Sequence, residues 1–246
     1  MKLTVFMSII IGLFLGEGLL HFLNKNDAKQ KNLMLTFGKD VLKASAPLEI
    51  GFDQRSKFEV YCDLKKAGAR SIPNIHPRDL RGTGTQLKIN GNKVFPLNGI
   101  SNENTILCNE SGEYIFFNSD DYGFRNPKNI WDSGLIDIAL IGDSFTHGNC
   151  VSENQTIAGI IRKEFPRTLN LGRSGNGPLI EFAVLKEYLT SQKPKVVFWI
   201  YFEGNDLFEL NEERKDIFLQ QYLYSNFTYG LKNHQSVIDL QLNNFL

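Results

Sequence analysis

Residues 136–150 read IDIALIGDSFTHGNC, and this stretch decides the fold. Ile136 to Ile141 is an apolar run broken only by Asp137. A strand apolar at nearly every position is covered on both faces, as in a parallel sheet. The run stops at Gly142-Asp143-Ser144, which places a serine at the strand tip, where a helix would begin.

Working outward, the same rhythm repeats. Gln155 to Phe165 suits a helix and Thr168 to Leu171 a short strand. Gly177 to Ser191 suits a second helix, with Leu179, Phe182, Ala183, Leu185, Tyr188 and Leu189 on its apolar face. Val196 to Phe202, VVFWIYF, is a strand without a polar face. Strands alternating with helices predict an α/β domain over 134–246 with a parallel sheet covered on both sides. In such sheets function gathers at the carboxyl ends of the strands. All three glycine-containing turns fall there.

Upstream the texture differs. Residues 48–133 read as a β-rich region with little helical periodicity. Asn90-Gly91 lies between short strand-like runs, a strong hairpin signal, and Ser111-Gly112 plays the same part later. DYGFRNPKNIWDSG makes a turn-rich link at about 121–134, where Arg125 and Trp131 read as structural. Residues 24–47 form a polar, Lys-rich spacer. Residues 1–23 hold an uncharged apolar run from Leu3 to Leu15 that continues as Leu19 to Leu23. No small-residue cleavage site follows it. Its length is near the ~20 residues that a helix needs to cross a bilayer. The expectation is an uncleaved signal anchor, with a cleaved signal peptide and a buried helix as alternatives.

Composition narrows the classes. With 246 residues, 42% hydrophobic, the chain can bury one substantial core. Lys+Arg and Asp+Glu are 27 each, which gives no electrostatic footprint for nucleic acid. Cys62, Cys108 and Cys150 have no metal-ligand spacing, and no metal is expected. They read as three buried thiols, or as a Cys62–Cys108 pair with one thiol free.

The turns carry the chemistry. Ser144 follows the first strand, and its N–H can help hold an oxyanion at a helix start. Gly172, in LNLGRSG, follows the second strand and can aim its N–H into the same space. Asn205, in FEGND, follows the third and offers an amide donor. Donors converging on one hydroxyl suit acyl transfer. A phosphate loop would need a Lys in a Gly-rich turn, and no cofactor is expected. Each turn also has a plainer reading: Ser144 as a helix cap, Gly172 as a turn glycine, Asn205-Asp206 as a helix start.

IGDSFTHG, LNLGRSG and FEGND resemble, in order and at strand ends, the Ser, Gly and Asn motifs of the SGNH (GDSL-type) hydrolases over roughly 134–210. The resemblance implies a flavodoxin-like three-layer sandwich. It implies Ser144 as nucleophile, and Ser144, Gly172 and Asn205 as the oxyanion hole. Asp143, His147 and Asp206 would line the pocket. Family members are esterases, lipases, carbohydrate deacetylases and some acyltransferases. An anchor, a β-rich preamble and a DYGFRN link suggest bacterial members acting on O-acyl groups of envelope carbohydrate. Such a protein would sit in the inner membrane with its domain in the periplasm or outside.

The family takes its base from an Asp-x-x-His motif near the C-terminus. Here Asp239 is followed by Leu240, Gln241 and Leu242. The four histidines are His21, His76, His147 and His234, and none is well placed by sequence to serve Ser144. Residues 206–224 read as a charged helix, followed by a polar tail. No strands are expected to flank VVFWIYF on its far side, so the sheet reads as incomplete. The expectation is a version shortened before the motif, or a partner chain completing the sheet. The alternative function is a catalytically inactive carbohydrate-binding or scaffolding protein on the same fold. A flavodoxin-like nucleotide-binding module stands further off.

Overall fold

The computed structural model describes residues 51–77, 87–244 and 246. The expected membrane segment at 1–23 and the spacer at 24–47 lie outside the described residues. Among the described residues no helix is long and apolar enough to cross a membrane.

Residues 53–246 form one compact unit. It opens with helix α1 (Lys57–Lys66), which the sequence reading placed in β-rich territory. The helix buries only Val60, so hydrophobic periodicity is faint there. A reciprocal cap starts it instead. The Ser56 hydroxyl accepts the Glu59 N–H at 3.2 Å, and the Glu59 carboxylate accepts the Ser56 N–H at 2.6 Å.

Strand β1 (Ile72–Pro73) follows, then β2 (Leu87–Ile89) and β3 (Asn92–Val94). The last two form the expected antiparallel hairpin. Its two-residue loop has φ of 52° at Asn90 and 82° at Gly91, the left-handed backbone that such turns require. Strands β4 (Asn104–Ile106) and β5 (Phe116–Asn118) pair antiparallel across the Ser111-Gly112 turn, while β1 adds to β4 in parallel.

The second half delivers the α/β rhythm. Strand β6 (Ile138–Gly142) is buried along its whole length. Helices α2 (Ser144–His147) and α3 (Ile157–Ile161) follow, then β7 (Thr168–Asn170). Helix α3 is shorter than expected at both ends; Thr156 caps its start, accepting the Gly159 N–H at 2.8 Å, and it stops at Ile161. Helix α4 (Pro178–Val184) runs on as a π turn through Leu189. Strand β8 (Val196–Ile200) completes a parallel sheet of order β7-β6-β8.

Apolar side chains alternate across β6. Ile138 and Leu140 pack with Ala158 of α3, and Ala139 and Ile141 with the α4 side. This is a mixed α/β protein with small parallel and mixed sheets. The larger core cluster takes residues from both sides of residue 134, from Ile75 to Leu242.

Two C-terminal readings change. The charged helix is divided into α5 (Asp206–Glu213) and α6 (Ile217–Gln220). Asp216 makes the break, since its carboxylate caps the N–H groups of Phe218 at 2.8 Å and Leu219 at 3.2 Å. Glu213 of α5 is buried and accepts the N–H groups of Gly177, Leu179 and Ile180, satisfying the first turn of α4. The polar tail contains α7 (Gln235–Asn243), docked through fully buried Ile238 and Leu242. Its polar residues bind backbone: Gln241 brackets Lys88 at N and O, and Asp239 accepts from Ser101.

The cysteines are corrected as well. Cys108 is bonded to Cys150, with Cα atoms 5.2 Å apart, and Cys62 is the free thiol, half-buried on α1. The β4–β5 turn and the loop after α2 meet there, which spacing alone does not reveal.

Candidate active site

The site begins where β6 ends. Asp143 caps α2, its carboxylate accepting the Phe145 N–H at 3.2 Å, and is 2% exposed. Ser144 is half-buried, and its hydroxyl donates to Asp143 Oδ2 at 3.2 Å. Asn205 follows β8 and makes no side-chain cap to α5. Its amide turns instead toward the same Asp143 oxygen, donating at 3.4 Å. Parallel register puts Gly142 opposite Ile200. Residues 61 apart in sequence therefore meet on one carboxylate. Asp206 is fully buried and closes the turn, accepting the Phe202 N–H at 2.6 Å. Burial holds its carboxyl above the ordinary range, and the nearby Asp143 and Glu209 add to this.

Gly172 follows β7 and lies against α2. A side chain there would meet the His147 nitrogen at 2.5 Å and the Thr146 carbonyl carbon at 2.6 Å, so the contact admits only glycine. Its N–H donates to Asn170 Oδ1 at 2.9 Å. The structure thus brings Ser144, Asp143 and Asn205 together directly, and places Gly172 beside them with its N–H turned to Asn170.

The histidines go elsewhere. His147 is fully buried, edge-on to Phe117, with Nδ1 2.9 Å from the Ser174 hydroxyl. Burial, then the charges of Arg173 and Arg125, push its pKa well below the usual imidazole value, so the ring is neutral. His76 sets Nδ1 2.8 Å from the Ser174 carbonyl. His234 sits between the Gly230 carbonyl, 2.8 Å away, and Asn90, 3.3 Å away. Among the described residues no histidine is hydrogen-bonded to Ser144.

Asn170 is a positioning group that the motifs did not single out, while Arg125 has the structural part expected of it. Asn170 ties Gly172 to the nucleophile turn, donating to the Thr146 carbonyl at 2.8 Å. Arg125, 2% exposed, donates to the carbonyls of Gly148 at 2.7 Å and Val151 at 3.0 Å. It pins the loop after α2. The signal for Asn170 lay in the sequence as the Asn of LNLG. Among the described residues no group of three His, Cys, Asp or Glu side chains is arranged around a metal-sized space.

Fold and site together define an α/β protein with a polar constellation at the carboxyl end of a parallel sheet. No family model, no curated protein and no solved structure matches the chain.

Proposed function

We propose that the chain is a serine esterase or acyltransferase of the SGNH type, on a flavodoxin-like sandwich, acting on O-acyl groups of carbohydrate. The observation that carries this reading is the meeting of Ser144 and Asn205 on Asp143 at adjacent strand ends. Ser144 Oγ attacks the ester carbonyl carbon and gives its proton to a general base. The Ser144 N–H and the Asn205 amide hold the oxyanion, with the Gly172 N–H joining when it leaves Asn170. Collapse breaks the bond to the sugar oxygen, which takes the proton back from the base. Water or a second hydroxyl then removes the acyl group from Ser144. The base, and strands to cover β8, would come from a partner chain. We place the protein at a bacterial inner membrane, held by residues 1–23, with its domain in an oxidising compartment. The Cys108–Cys150 bond suits such a compartment.

Fluorophosphonate labelling tests the nucleophile. The expected result is one adduct, on Ser144, absent in Ser144→Ala. A folded chain that takes no label, or keeps it in Ser144→Ala, would overturn the reading. The engagement of His76, His147 and His234 elsewhere favours a second reading, a carbohydrate-binding protein without turnover. It predicts sugar binding that Ser144→Ala leaves unchanged.

A further inference from the structure

Beside Ser144 lies a cavity of about 400 Å³. That is within the roughly 300–1,000 Å³ usual for small-molecule sites. Its walls come from two distant parts of the chain. Glu110 belongs to the β4–β5 turn, while Ser144, Phe145 and Asn149 belong to α2 and its loop, and Gln155 and Ile157 to the start of α3. Cys108 stands two residues before Glu110, and Cys150 directly after Asn149. The disulfide therefore ties the two walls to each other. Arg125 holds the same loop from behind through Gly148 and Val151. A cavity fixed this way loses little entropy when filled.

Its chemistry is mixed. Phe145, 54% exposed, and Ile157 offer apolar surface. Asn149 and Gln155 offer amides that donate and accept. Of the described residues lining it only Glu110 is charged. Apolar surface beside amides matches a sugar ring, which has C–H faces and a hydroxyl rim. A lone carboxylate accepts hydroxyl protons and repels a second carboxylate. We infer that this cavity is the seat of an uncharged pyranose ring, next to the reacting serine, and that Glu110 discriminates against uronic acids.

This inference rests on the reading of Ser144 as the reacting group, and the experiment separates the two. The full chain is titrated by saturation-transfer NMR with the methyl glycosides of glucose, galactose and N-acetylglucosamine, and with methyl glucuronide. Fluorophosphonate labelling is run on the same sample. At least one neutral glycoside binds, Phe145→Ala and Gln155→Ala each weaken it fivefold or more, and the glucuronide binds at least fivefold more weakly. Glu110→Gln narrows that last gap. Both Phe145 and Gln155 are exposed, so folding is not at stake in their variants. If no neutral glycoside binds, if binding ignores both variants, or if the glucuronide binds equally well, the inference falls. Labelling without glycoside binding removes the sugar seat and keeps the nucleophile. Glycoside binding sensitive to the variants, without labelling, does the reverse.

Discussion

Strands β7 and β8 flank the same central strand, and their outer edges differ. Along β7 the edge is closed by two side chains, with Arg162 donating to the Thr168 carbonyl at 3.0 Å and Asn126 pairing with Asn170. The Asn126 amide donates to the Asn170 carbonyl at 2.8 Å and accepts the Asn170 N–H at 2.7 Å, as a neighbouring strand would. Asn126 is held in turn by Asp120, a buried carboxylate with four donors: the N–H groups of Tyr122 and Phe124, the Asn126 amide and the Trp131 indole. Along β8 no strand among the described residues takes the outer edge. Val196, Val197, Phe198 and Trp199 are 40–49% exposed, although the sequence there is as apolar as any in the chain. The buried carboxylate on that side, Glu181, has the Trp199 indole at 2.6 Å, while its second oxygen has no partner. Burial raises both acids. Asp120 is held at about 6 by its donors, and Glu181 rises to about 8, with Asp206, Glu213 and Asp143 adding to the shift. An apolar sequence thus guarantees neither burial nor a closed edge. A polar turn can supply the closure.

The contrast can be broken or sharpened by substitution. The largest effect is expected on the closed side. Leu169→Ala, at a residue with 0% exposure, should lower unfolding free energy by about 2–5 kcal/mol in urea titration. Next is Asn126→Ala, which strands the Asn170 N–H and carbonyl in the interior. The same titration should show a loss of about 1–3 kcal/mol. A loss no larger than at an exposed site would mean that Asn126 does not close the edge.

Third is a pH effect on the open side. The unfolded Glu181 carboxyl ionises near 4.5, whereas the folded one holds its proton to about 8. The folded form binds more protons in that window, so stability is full below about 4.5 and declines as pH rises toward 8. Glu181→Gln should flatten this decline, seen as a smaller difference between urea midpoints at pH 5 and pH 8. An unchanged difference would place the effect elsewhere. The smallest change is expected from Phe198→Thr on β8, within about 0.5 kcal/mol, with higher solubility as the apolar edge is diluted. A loss as large as that of Leu169→Ala would show that β8 is covered in solution.

Strands β6 and β8 were legible as apolar runs leading into glycine turns, β7 as a short segment before Gly172 in the same rhythm, and the β2–β3 hairpin because Asn90-Gly91 permits little else. Helix α1 was hidden because its start is a polar cap, Ser56 with Glu59, and its single buried residue leaves no stripe to read. Helix α7 was hidden because Gln235 and Gln241 look solvent-facing, yet they spend their amides on the backbone of Gly99 and Lys88. At the site, the sequence could order Ser144, Gly172 and Asn205 along strand ends. It could not show that Asn170 holds the Gly172 N–H, or that Asp143 is the meeting point, because both depend on side-chain direction after the turn.

The bond between Cys108 and Cys150 also has a topological side. It closes a covalent ring that contains β5, the DYGFRN turn, all of β6 and Ser144. A single backbone nick anywhere inside that ring would leave the chain in one piece, its ends still tethered across sulfur. The strand tip that bears the serine is thereby protected against being severed from the rest by one cut.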